Sequence, residues 1–338
     1  MKLALTLPYA EGVLTREQVN DVVRAADRLG YDSLWVAEAW SFDAFMVLTS
    51  LIPETENIKL ATGIVNVYSR TPSLIAQAAA TLDAFSGGRA ILGLGASGPQ
   101  VIQGWHGLDY AQPLQRTREV IDIVRMIMRR EKLQYEGEIF NLQGRLKLIN
   151  HPVRSEIPIA VASLGPKNVA MTAEVADGWL PTLYSPAKAA EVFGPALDEG
   201  RSRRSADLGP LEVIAPAAVA IGEDTSAARN VARAGMALYI GGMGSRKQNF
   251  YNQLFQRYGY EAEAAEIQEL YLTGKQPEAI GRVTDEMIDE VSLIGPAGQV
   301  KERLAQFAEA GVDTLLVQIA DPDPANMVST LEQLAAIA

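Results

Sequence analysis

The sequence predicts a single (βα)8 barrel, the TIM barrel, carrying two insertions. Three observations predict it. Strand-like and helix-like patterns alternate from the start of the 338 residues, as parallel α/β folds require. Eight short apolar runs qualify as strands, near residues 2–7, 33–37, 58–65, 90–95, 157–162, 178–182, 211–221 and 313–319. Eight units favour a closed barrel over an open doubly wound sheet. A helix-to-strand phrase also recurs: LGYDSLWV at 29–36, AGVDTLLV at 310–317, and a looser ADGWL at 176–180. In each, glycine releases a helix, a polar residue bridges the turn, and apolar residues enter the sheet.

The elements follow in order. Leu3-Ala4-Leu5-Thr6-Leu7 is mostly apolar, as suits a strand buried on both faces. Thr15 opens a helix, with Gln18 as its capping-box partner and Val19, Val22, Val23, Ala26 and Leu29 at helical spacing. Gly30 stands where a left-handed helix end belongs. Strands are expected at 33–36 and 59–65. Thr71-Pro72 starts a helix with proline in its first turn, and Leu74, Ile75, Ala78, Leu82 and Phe85 form its apolar face. Gly87-Gly88 ends it before the strand at 90–94. Residues 131–150 alternate and contain turn glycines, which predicts a β-hairpin insertion. Residues 242–290 are helical, charged and aromatic, which predicts a second insertion before the last βα unit. No linker cuts the chain, so residues 1–338 read as one domain.

Composition excludes several chemistries. With 41 acidic and 30 basic side chains the formal charge is −11, a field that repels nucleic acid and anionic membranes. There is no cysteine, so disulfides, zinc thiolates, iron–sulfur clusters and thiol nucleophiles are excluded. His106 and His151 cannot by themselves build a histidine-rich metal site, and the carboxylates form no obvious metal cluster. The first residues lack a signal-peptide pattern, and no apolar run approaches the ~18 residues of a membrane span. The expectation is a cytoplasmic protein acting on a small molecule.

In such barrels the site lies at the C-terminal strand ends. That selects Tyr9, then Glu38 and Trp40, then Gly63-Ile64-Val65-Asn66, Gly95-Ala96-Ser97-Gly98, and Ser163-Leu164-Gly165-Pro166-Lys167. The glycine-rich run at 93–98 lets backbone N–H groups approach an anion or a flat ring, or makes a tight rim turn. Its spacing is not a dinucleotide fingerprint. Gly165-Pro166 opens a helix whose free N–H groups, with Lys167, suit a phosphate, or simply start a helix. Glu38, between Trp35 and Trp40, reads as a proton donor raised by burial, or as the partner of an arginine across the mouth. His106, in a glycine-flanked loop, reads as a proton donor or as an ordinary loop histidine. Tyr239 and the aromatics at 250–260 cover a ligand or pack the insertion. There is no strand-end lysine for a Schiff base and no Gly-x-Ser-x-Gly elbow. A barrel so poor in reactive groups points to a cofactor that carries the chemistry.

Four stretches carry a family resemblance: Gly30 to Trp35 (GYDSLW), Thr62 to Pro72 (TGIVNVYSRTP), Ser86 to Arg89 (SGGR) running into Gly93-Leu94-Gly95, and Ala173 to Trp179 (AEVADGW). In this order they resemble the bacterial-luciferase-like superfamily, and within it the branch using the deazaflavin coenzyme F420, such as methylenetetrahydromethanopterin reductase. The resemblance covers nearly the whole chain. It implies a hydride-transfer oxidoreductase, a homodimer, and a coenzyme ring lying over strand 3 at a non-prolyl cis peptide between Gly63 and Ile64. Tyr9, Val65, Gly95 to Gly98 and Ser163 to Lys167 would hold the coenzyme. Arg70, Arg246 and Lys247 are further cations for its anionic tail. The superfamily leaves two other readings open, an FMN-dependent monooxygenase and a flavin-binding protein without turnover. Two departures stand out. Thr6 occupies the place where the pterin reductases carry a glutamate acid. Trp40 stands where sugar-phosphate dehydrogenases of the branch carry a histidine.

Overall fold

The computed structural model describes residues 1–8, 14–244, 246–321 and 323–338. Eight parallel strands form the barrel: β1 (Lys2–Thr6), β2 (Ser33–Val36), β3 (Lys59–Thr62), β4 (Ala90–Gly95), β5 (Ile159–Ala162), β6 (Gly178–Leu180), β7 (Glu212–Ile221) and β8 (Thr314–Ile319). Consecutive strands pair around the circuit, and β8 closes on β1 through the register Lys2↔Thr314 to Leu5↔Val317. Side chains alternate across a strand, so each strand feeds two cores. The outer core packs Leu5, Leu34, Leu60 and their neighbours against the helices. The inner core takes one side chain from each strand: Ala4, Trp35, Ala61, Ile91, Ala160, Leu180, Ile214 and Leu316. Trp35, fully buried, fills the room that alanines at 4, 61 and 160 leave. Its indole N–H donates to the Ser33 hydroxyl at 2.9 Å.

The third strand departs from the continuous run expected at 58–65. It stops at Thr62, the Gly63–Ile64 peptide is cis, and pairing resumes at Val65–Asn66. Ala61 pairs with Ile91 and Val65 with Leu94, so four steps on β3 answer three on β4. One residue is extra, which makes this a bulge. Gly93 lies opposite it, exchanging two hydrogen bonds of 2.8 Å with the Thr62 hydroxyl. A further strand, Ser292–Gly295, was not expected. It pairs with the C-terminal half of β7, from Ala218↔Ser292 to Ile221↔Gly295.

Both insertions form. The hairpin is a short antiparallel pair, Tyr135–Glu136 with Asn141–Leu142. Its turn is tied to the fully buried Glu119, whose carboxylate accepts the backbone N–H groups of Glu138, Ile139 and Phe140 and the Gln115 amide. Burial would raise the Glu119 pKa, but these hydrogen bonds outweigh it and hold it below its ordinary value. A depressed native pKa means stability present at neutral pH and lost as pH falls. The protection factors of the amides in residues 135–142, corrected for the intrinsic pH dependence of exchange, are therefore expected to fall selectively as pH drops below about 4.5, the group's ordinary value. Glu119→Gln should show the fast exchange already at pH 7. A hairpin equally protected at pH 7 and pH 4 would contradict the anchoring role. The second insertion is helical, comprising Phe250–Arg257, Glu261–Leu272, Gln276–Gly281 and Asp285–Val291.

Candidate active site

The C-terminal end of the barrel closes on an apolar floor. Ile64, carried inward by the bulge, packs on the inner core with Ala162. The floor depends on missing side chains. A Cβ on Gly95 would lie 3.0 Å from Ile64 Cδ1 and 3.5 Å from the Ala162 Cβ, and one on Gly63 would lie 3.2 Å from the Trp35 Cβ. Thr6 lies two residues beyond Ala4 on the same inward face of β1. Its hydroxyl is buried and has no partner among the described residues. The His106 ring Nε2, in the loop after β4, is in the same condition. Buried polar atoms are nearly always satisfied in a folded protein, and among the described residues seven side-chain atoms are exceptions, Thr6 Oγ1 and His106 Nε2 among them.

The expected site residues separate into three groups. Gly63, Ile64 and Gly95 meet at the floor, and the Ser97-Gly98 turn follows directly. Ser97 takes φ +57° and its carbonyl accepts the Tyr110 hydroxyl at 3.0 Å. The Gly98 carbonyl starts the helical turn Gln100–Trp105 by accepting the N–H groups of Val101 and Ile102. Leu164, Gly165 and Pro166 line a separate cavity of about 750 Å³ together with Phe250 and Arg257. The Arg257 guanidinium donates to the Leu164 and Val192 carbonyls at 3.4 and 3.3 Å, and burial lowers its pKa.

The third group does other work. Val65 is fully buried in the outer core, and Ala96 packs against that core too. Ser163 bonds Thr172 Oγ1 at 2.9 Å, while its carbonyl accepts the Trp179 indole at 3.0 Å. Lys167 lies in an outer groove with Gln115, Arg118 and Arg203, away from the cavity lined by Leu164 to Pro166. The phosphate site expected at Ser163 to Lys167 is therefore split, because successive residues of a helix start project in different directions. Tyr9 lies outside the described residues.

Glu38 takes the ion-pair alternative. Its two oxygens accept Arg70 Nη1 and Nη2 at 2.5 and 2.8 Å, and the Ala44 N–H at 2.9 Å. Arg70 also holds Asp43 at 2.5 Å. Both oxygens of this carboxylate are thus committed to structural partners, in a bidentate charged pair. Arg70 is likewise committed, and Arg246 is paired with Glu269.

The aromatic residues organise the rim. Tyr68 stacks on Tyr110 with centroids 5.3 Å apart. Arg116 lies between the Tyr68 and Phe140 rings at 4.7 and 5.1 Å. Burial pushes the Tyr68 phenol up to about 12. Tyr239, in the helical turn Leu238–Gly242, and Tyr251, on the helix Phe250–Arg257, meet edge to face at 4.8 Å. Arg257, Arg116 and Tyr110 escaped the sequence reading, because no local pattern marks a side chain whose neighbours are distant in sequence. Among the described residues no group of carboxylates and histidines could hold a metal ion, and no helix is long and apolar enough to cross a membrane.

Comparison with known proteins agrees with this geometry. The family profile of the luciferase-like monooxygenases matches residues 4–314. A Mycobacterium tuberculosis protein, provisionally named a coenzyme F420-dependent oxidoreductase, is 40% identical over 330 residues, 94% of each chain. The 5,10-methylenetetrahydromethanopterin reductase of Archaeoglobus fulgidus is 32% identical over 296 residues, 86% of each chain. The solved F420-dependent tetrahydromethanopterin reductase of Methanopyrus kandleri superposes with a TM-score of 0.82 at 25% identity, covering 99% of this chain and 96% of the other. A profile match over nearly the whole barrel, with a relative at 40% identity over 94% of the chain, makes this chain a member of the luciferase-like monooxygenase family.

Proposed function

We propose that the protein is an F420-dependent oxidoreductase that moves a hydride between the coenzyme and a small organic substrate. The observation that carries this reading is the barrel mouth itself. It has an apolar floor, a buried Thr6 hydroxyl with no partner among the described residues, and a strand-end carboxylate, Glu38, that is locked to an arginine. Such a mouth holds and orients a reactive group and does not supply one. F420 appears in the names of the relative at 40% identity and of the solved reductase at 25% identity, which favours the deazaflavin over FMN.

The residues present fit that group. Ile64 over Gly95 offers a flat apolar face that a Cβ at position 95 would disturb. The Ser97-Gly98 turn and the backbone of Leu164 to Pro166 are the parts suited to a polar tail. When bound, the deazaflavin supplies the hydride. The chain excludes water with its apolar floor, and it offers Thr6 Oγ1 and His106 Nε2 as hydrogen-bonding atoms. Thr6 cannot replace a carboxylic acid, so reduction of a methylene-pterin is not part of this proposal.

The test is a titration of the purified protein with F420 and with FMN, followed by deazaflavin fluorescence. F420 should bind at least tenfold more tightly than FMN. Gly95→Ala, which displaces Ile64, should weaken F420 about tenfold without changing the circular dichroism. Lys167→Ala should leave the affinity unchanged. Tight FMN binding with negligible F420 affinity overturns the reading.

A further inference from the structure

One arginine of the second insertion is held in place without a carboxylate. Arg246 is paired with Glu269, and Arg282 with Glu266 at 2.9 Å. Arg257, at the end of the helix Phe250–Arg257, has no such partner among the described residues. Its Nη1 and Nη2 each give one long hydrogen bond, to the Val192 and Leu164 carbonyls at 3.3 and 3.4 Å. Its Cζ lies 5.6 Å from the centroid of the Phe193 ring, and that ring is buried. Two carbonyls and an aromatic face therefore place the guanidinium. Of its five N–H donors, only these two have partners among the described residues.

Arg257 lines the cavity of about 750 Å³ between the β5 loop and the insertion. The loop enters that lining at Leu164, two residues after Ala162. Ala162 belongs to the apolar floor, where a Cβ on Gly95 would be 3.5 Å from its own Cβ. Two residues span at most about 7 Å of chain, so the cavity starts beside the floor. The helix Pro166–Val175 begins in the same lining with no side-chain cap at Gly165, which adds its positive end to the guanidinium. Two carboxylates, Glu191 and Glu261, also line the cavity, and neither is ion-paired among the described residues. One anionic group placed here gains from Arg257, and each further one meets like charge.

We propose that this cavity receives the tail of the deazaflavin coenzyme and selects a short one: Arg257 binds the first anionic group of the tail, and Glu191 and Glu261 disfavour the glutamates of a longer one. The inference rests on the coenzyme reading for the identity of the ligand, and on the charges of the lining for the selection. The tail of F420 is a phosphodiester followed by glutamates, so its forms share one ring and differ in negative charge. A guanidinium matches a phosphate or carboxylate through two parallel N–H groups. Carboxylates facing a lengthening acidic chain supply the repulsive element that selectivity needs. Glu191, Arg257 and Glu261 are all exposed, so water and salt screen these contacts, and the effects are a few-fold in affinity.

Fluorescence titration with three deazaflavins tests it: the riboside that lacks the tail, F420 with one glutamate, and F420 with six. The proteins are the wild type, Arg257→Gln, and the double variant Glu191→Gln/Glu261→Gln. The wild type should bind the one-glutamate form about fivefold more tightly than the riboside, and about threefold more tightly than the six-glutamate form. Added salt should shrink both preferences. Arg257→Gln should bind the one-glutamate form no more tightly than the riboside, with riboside affinity and thermal midpoint unchanged. The double variant should bind the six-glutamate form at least as tightly as the one-glutamate form. Equal binding of riboside and one-glutamate form by the wild type, a preference between them that survives Arg257→Gln, or tightest binding of the six-glutamate form overturns the proposal and leaves the coenzyme reading standing. If Arg257→Gln lowers the thermal midpoint, the double variant decides, and a six-glutamate penalty that persists there overturns the proposal. If no deazaflavin binds, the coenzyme reading falls and the proposal falls with it.

Discussion

Gly93→Ala is expected to disable folding of the β3–β4 junction. A Cβ at this position would sit 1.9 Å from the Thr62 carbonyl oxygen and 3.1 Å from Trp35 Cζ3. Neither neighbour can retreat. The Thr62 carbonyl belongs to backbone held at the bulge, and Trp35 fills the inner core. Displacing Gly93 also breaks its two hydrogen bonds with the Thr62 hydroxyl. Overpacking of a close-packed interior together with lost buried hydrogen bonds should cost at least about 3 kcal/mol. The measurement is a urea unfolding curve beside soluble yield, with Gly104→Ala as the control. Position 104 has nothing within 4 Å of an added Cβ, so that control should stay within about 0.5 kcal/mol of the parent. An alanine variant at 93 with the parent's midpoint would show that β3 can slide past β4, and the bulge would not be a fixed feature.

Arg70→Met carries the second large effect. The side chains of Arg70 and Glu38 are only 14% and 10% exposed, so water screens their attraction little. Removing the guanidinium leaves Glu38 with the Ala44 N–H as its remaining partner, and takes from Asp43 its neutralising cation. Asp43 also caps the helix Ala44–Leu51 by accepting the Met46 N–H at 3.0 Å. Breaking one side of a buried pair typically costs about 3–5 kcal/mol, much of it from the stranded charge. Arg70→Met/Glu38→Gln should therefore recover a large part of the stability that Arg70→Met loses, since both charges are gone. The double-mutant cycle measures the coupling. A single-mutant loss below about 1 kcal/mol, or no recovery in the double variant, would mean that the pair behaves as an exposed one.

The two substitutions also mark what local pattern can and cannot tell. The run at 58–65 is mostly apolar and its pattern reads as one strand, yet the chain breaks after Thr62 and resumes at Val65. Apolar patterning does not specify the break, and only the family resemblance singled out Gly63–Ile64. The register shift itself shows where β4 lies alongside with one residue fewer. The strand Ser292–Gly295 was missed for a related reason. Four residues between two helices are a strand only if an edge is free to receive them, and β7 is long enough to provide one. Ser163 and Lys167 were legible as members of a helix-opening loop. Their separate destinations, a buried hydroxyl pair and an outer groove, follow from the helices packed around them.

What the sequence by itself determined is the architecture. The count and period of the apolar runs specify eight alternating units, and the capping and turn residues set where most helices begin and end. These are short-range properties, written into neighbours along the chain. Only the tertiary structure decided the chemistry of the mouth: that Glu38 is bound to Arg70, 32 residues away, and that Thr6 Oγ1 and His106 Nε2 are among the buried polar atoms with no partner among the described residues. The physical reason is that a charge or hydroxyl is defined by whatever lies within about 3 Å of it. In a closed barrel those neighbours come from strands and loops far apart in sequence.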